Sequence, residues 1–151
     1  SAKGRFATSV QGLECPVSFA EAVYAGAVPK EDPATFAATV AVFLNAKRRG
    51  GRDGGPVPAG LRAAEDACNR MGWFEPETAA YDVVRLWANG RTMCQVVFET
   101  GIAPGHACRL LQRLDQTLRS LADVRDFKDV ATASSVLIRR GLPFCPSLHL
   151  R

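Results

Sequence analysis

Between Pro104 and Val124 the chain reads PGHACRLLQRLDQTLRSLADV, and its apolar positions recur at intervals of three and four residues. At about 100° per residue, Ala107, Leu110, Leu111, Leu114, Leu118 and Leu121 share one stripe of a helix. That stripe is the expected core side. Arg109, Gln112, Arg113 and Gln116 fall on the opposite side, with the two arginines four residues apart and no acidic partner between them.

The same period predicts further helices. VSFAEAVYAG follows Pro16 and stops at Gly26. EDPATFAATVAVFLNAKRR has Asp32 as N-cap, Pro33 at the first helical position and cations in the last turn. LRAAEDACNRMGWF ends near Gly72, and PETAAYDVVRLWANG sets Tyr81, Val84 and Trp87 or Ala88 on one face with Gly90 as its stop. RTMCQVVFETG is a short helix capped by Thr92 and broken by Gly101, and DVRDFKDVATASSVLIRRG runs to Gly141. KGRFATSVQG alternates weakly and reads as a short extended entry segment, and LPFCPSLHLR as an extended apolar strap. With no hairpin signal and no repeat, the expected fold is all-α: a compact bundle of six or seven helices.

GGRDGGPVPAG, residues 50–60, buries too little side chain to order itself and is expected to be a mobile surface loop. It lacks the lysine and the preceding strand of a phosphate-binding loop. Its basic flank KRRGGR, with Lys47, Arg48, Arg49 and Arg52, reads first as a solvated charge run and second as a contact to a phosphate backbone.

The 151 residues and 47% hydrophobic content suit one domain spanning 1–151. No apolar run approaches the ~20 residues that cross a bilayer, and the first residues lack a secretory core. An intracellular protein, nuclear or cytoplasmic, without a membrane is the expectation; the absence of a first Met fits either a piece of something larger or a stand-alone chain. Cys15, Cys68, Cys94, Cys108 and Cys145 are scattered and never form C-x-x-C, so each is expected to be a buried thiol in a reducing compartment. His106 and His149 do not provide the close pairs of a zinc site.

Charge is unevenly placed. Residues 1–103 hold eleven Lys and Arg against eleven Asp and Glu, whereas 104–151 hold eight against four. A local basic surplus suits a polyanion such as nucleic acid, although a solvated helix face accounts for it as well. G-x-S-x-G and H-E-x-x-H are both missing. Glu65, Asp66, Glu75 and Glu77 sit where capping or solvation explains them. The sequence therefore predicts no catalytic residue in this chain. TMCQVVFET, GIAPG and HACRLLQRL resemble a helix-turn-helix pair, a pattern shared by nucleic-acid readers and plain helix hairpins.

The stretch DVVRLWANGRTMCQVVFETGIAPGHACRLLQRLDQTLRSLADV resembles the signature region of the C-terminal helical (DSHCT) domain of DExH-box RNA helicases that feed the RNA exosome, in their superkiller-like and mRNA-transport-like branch. The matching residues are Trp87, Ala88, Gly90, Gly105, Arg109, Arg113, Leu114 and Asp115. KGRFATSV, DPATFAATVAVFL and IRRGLPFCPSLHL are similar to further family segments in the same order. The resemblance implies a domain packed on two RecA-type motor domains, with ATP and Mg bound there and no cofactor in this chain. It also implies a helix lining the exit path of single-stranded RNA, with the exosome or its adaptors as partners. On that reading Arg113 contacts RNA, with Arg109 beside it and Gln112 and Gln116 on the same strip.

The chain departs from the pattern at several points, as a divergent member does. Pro104 replaces an acidic residue, His149 the final Tyr and RRGLPF an Arg-Asp pair, and the region before Trp87 is short, so no residues there are assigned an RNA contact. Two other readings stay open: a helicase-derived module that docks on a partner without RNA, and an independent helix-turn-helix DNA binder.

Overall fold

In the computed structural model the described residues are 5–6, 16–44, 47–48, 74–75 and 78–140. They form six α-helices: α1 (Pro16–Tyr24), α2 (Pro33–Val42), α3 (Thr78–Ala88), α4 (Met93–Thr100), α5 (Pro104–Leu121) and α6 (Lys128–Arg139). A 3-10 turn, Arg125–Phe127, leads into α6. The fold is all-α, as the periodicity predicts. Among the described residues the helices are accompanied by a two-residue antiparallel pair, β1 (Lys47–Arg48) with β2 (Phe74–Glu75), in which Lys47 is opposite Glu75 and Arg48 opposite Phe74.

Helix α2 is the centre. Its residues from Phe36 to Val42 are all buried, because a helix that is apolar all round has to be enclosed on every side. It packs against α3, α6 and α5. Its start is fixed by Asp32, whose carboxylate accepts the Thr35 amide at 3.2 Å, and by Pro33 in the first turn. Its end lies earlier than the sequence predicts. Phe43 and Leu44, both fully buried, close the helix through three-residue bonds to Val40 and Ala41, so Lys47 and Arg48 stand in β1 and not in a last helical turn.

Aromatic rings fill the end of the core nearest α1. Phe19 lies edge-on to Phe43 at 5.3 Å, Phe127 sits 5.5 Å from Phe36, and Phe6 stacks on Phe19 at 6.0 Å. Arg5 and Phe6 have helical backbone, so at these two residues the extended segment is corrected: Phe6 turns into the aromatic cluster and does not continue a strand. The expected loop 50–60, residues 61–73 of the expected helix and the strap 142–151 lie outside the described residues, and Phe74, expected at the end of that helix, stands in β2 because it pairs with Arg48.

Two ties close the bundle between distant parts of the chain. Trp87 Nε1 donates to the Ile138 carbonyl at 2.9 Å, and the Arg140 guanidinium stacks over the Trp87 ring at 4.0 Å while donating to the Trp87 and Arg91 carbonyls. Ser134 Oγ, at 2.8 Å from the Pro33 carbonyl, ties α6 to the start of α2. Among the described residues no helix is long and apolar enough to cross a membrane.

Candidate nucleic-acid interface

Helix α4, the turn after it and α5 make the pair that the sequence predicts. Thr92 and Gln95 form a reciprocal capping box: the Thr92 hydroxyl accepts the Gln95 amide at 3.2 Å, and the Gln95 side chain accepts the Thr92 amide at 2.9 Å. Gly101, at φ 73°, ends α4 in the left-handed conformation that a side chain disfavours. Pro104 then starts α5.

Along α5 the two faces separate as the period requires. Ala107, Leu110, Leu111, Leu114, Leu118 and Leu121 are all buried, most of them fully. Arg109, Gln112, Arg113 and Gln116 are all exposed, together with Arg119 and Ser120. The structure thus brings the four sequence-predicted residues onto one outward strip. The Arg113 and Gln116 backbone carbonyls accept the Thr117 and Ser120 hydroxyls, and both residues are exposed.

The only acidic residue of α5, Asp115, stays off that strip. Its carboxylate is turned into the joint with α6, where it accepts the Ser135 hydroxyl at 2.6 Å and pairs with Arg119 at 3.0 Å and Arg139 at 3.8 Å. The exposed side of α5 therefore carries cations and neutral donors without an exposed carboxylate. The spacing of Asp115 and Arg119, four residues apart, is a signal available in the sequence. Its partnership with Ser135 and Arg139 is not, because it depends on how α6 crosses α5.

Helix α4 is less buried than its composition predicts. Val96 is its one fully enclosed side chain, while Phe98 is 89% exposed on the side opposite. Cys94, expected in the core, is exposed one turn before Phe98, since an eight-residue helix that buries a single position cannot enclose its far side. Cys108 on α5 is buried as expected.

Between α3 and α4 lies an open polar cleft of about 400 Å³, lined by Asp82, Arg85, Asn89, Arg91, Glu99 and Thr100. Burial pushes the Asp82 carboxyl above its ordinary range, and Arg85 pulls it partly back. Two cations offset by two carboxylates give the cleft no net sign, unlike the α5 strip. Among the described residues no three His, Cys, Asp or Glu side chains gather as metal ligands do.

No curated protein matches the sequence. The family model of the DSHCT (NUC185) domain matches residues 1–145, which include every element described above. DSHCT domains are C-terminal domains of DExH-box helicases in RNA processing. With the ordered helices from α1 to α6 inside a match that spans nearly the whole sequence, the chain belongs to the DSHCT domain family.

Proposed function

We propose that this chain works as the C-terminal domain of an ATP-dependent RNA helicase and guides single-stranded RNA out of the motor toward an RNA-degrading machine. The observation that carries the reading is the exposed strip of α5, where Arg109 and Arg113 stand with Gln112 and Gln116 while Asp115 is withdrawn into the α6 joint. A guanidinium bonds phosphate oxygens and stacks on unpaired bases, which gives grip without sequence preference. Amide side chains between the arginines add neutral hydrogen bonds to sugar and base. That chemistry suits a strand that must slide.

On this reading ATP and Mg belong to RecA-type motor domains, against which this chain packs, and the RNA exosome or an adaptor receives the strand. The work is intracellular, in nucleus or cytoplasm. Competition separates the reading from duplex recognition: unlabelled single-stranded RNA is expected to displace a bound ten-nucleotide RNA far better than duplex DNA does. Equal or better displacement by duplex DNA would sink it.

A second reading, a helicase-derived module that docks on a protein partner without RNA, draws on Phe98. An aromatic ring 89% exposed on a helix with a single buried residue is the kind of anchor that protein interfaces bury. On that reading Arg109→Glu with Arg113→Glu leaves partner binding intact, and Phe98→Asp abolishes it.

A further inference from the structure

Two ion pairs at the joint of α5 and α6 share one carboxylate. Asp115, its side chain only 9% exposed, holds Arg119 through Nη2 at 3.0 Å and Arg139 through Nε at 3.8 Å. The arginine side chains themselves remain 59% and 50% exposed. Ser135 fixes the carboxylate from below with a 2.6 Å hydrogen bond. Each guanidinium has five N–H donors, so a single contact to Asp115 does not exhaust its hydrogen-bonding capacity.

We propose that the RNA-facing surface of α5 continues past Arg109 and Arg113 through Arg119 and onto Arg139 of α6, with Asp115 as the residue that positions the last two. The inference rests on the RNA-guiding reading above and extends its track. From Arg109 to Arg119 the helix rises ~15 Å, enough for several nucleotides of a threaded strand. Arg119 and Arg139 share one carboxylate that is nearly enclosed, so this end of the strip keeps a positive surplus. Anchoring matters because a long side chain loses rotamer freedom when it grips a phosphate. A guanidinium already held by Asp115 has lost part of that freedom before RNA arrives.

The test uses this chain, a fluorescent ten-nucleotide single-stranded RNA and a salt series. Arg119→Gln with Arg139→Gln is expected to weaken binding and to flatten the salt slope by about 1.4, the change for two phosphate contacts to a single strand. Arg119→Lys with Arg139→Lys should keep the slope near that of the wild type. Asp115→Asn separates positioning from charge: losing a negative charge would by itself tighten RNA binding, whereas lost positioning weakens it. Gln variants that melt at lower temperature yet keep the wild-type slope would reduce these residues to a helix tie. If only Arg109→Ala with Arg113→Ala changes the slope, the extension fails and the RNA-guiding reading stands. A wild-type chain that binds no RNA at low salt overturns both.

Discussion

The carboxylate of Asp32 accepts the Thr35 hydroxyl at 2.6 Å and the Thr35 amide at 3.2 Å. The hydroxyl bond foremost, aided by the amides, holds its pKa below the ordinary 3.8. A folded-state pKa below the unfolded one gives stability that is complete above the unfolded value and is lost as pH falls through the folded one. Asp32→Ala is therefore expected to cost about 1 kcal/mol near pH 7. The gap from wild type should shrink steadily in acid below the ordinary carboxylate value, as urea denaturation across a pH series will show. Trp87 offers a second check, because its indole N–H supplies a bond to the buried end of α6. Trp87→Phe keeps an aromatic ring under Arg140 but strands the Ile138 carbonyl, and a loss of about 1–3 kcal/mol in the same assay is expected. Asp115 marks the limit of what spacing reveals: its pairing with Arg119 is local, whereas Ser135 lies twenty residues further on.

Among the elements, α4 separates backbone from side-chain effects. A Cβ added at Gly101 would meet nothing within 4 Å, so the cost of Gly101→Ala comes from its φ of 73° alone. We expect about 1–2 kcal/mol, measured by thermal or urea denaturation. Phe98→Ala, on the same helix, should stay within about 0.5 kcal/mol because the ring is 89% exposed. Helices with a clear stripe were legible from residue order: α5 alternates Leu rows with Arg and Gln rows, and the structure separates them into core and surface accordingly. The end of α2 was not. VFLNAKRR contains no glycine or proline stop, and the helix closes at Val42 because Phe43 and Leu44 are pulled into the core around it. Cys94 misleads for the opposite reason, since an apolar residue on a short helix looks like core until the neighbours leave its far side uncovered.

For the whole molecule, the helical class follows from period and caps, while the way the helices close on one another depends on long-range contacts that the residue order does not display. Trp87 with Arg140, Ser134 with Pro33 and the Phe6, Phe19 and Phe127 rings all join segments distant in sequence. The candidate site was legible to the extent that it lies on a single helix, as Arg109, Gln112, Arg113 and Gln116 do. Its continuation onto α6 required the crossing of α5 and α6. Membership of the DSHCT family sets this arrangement among helicases of RNA processing. The central claim is that the α5 arginines grip a single strand, and the salt dependence of RNA binding tests it most directly. Wild type and Arg109→Ala with Arg113→Ala would be titrated with a ten-nucleotide single-stranded RNA across a range of salt concentrations. The account predicts weak, salt-sensitive binding whose slope falls by about 1.4 in the double variant, as expected for two lost phosphate contacts. Equal affinity and equal slope in both proteins would contradict it.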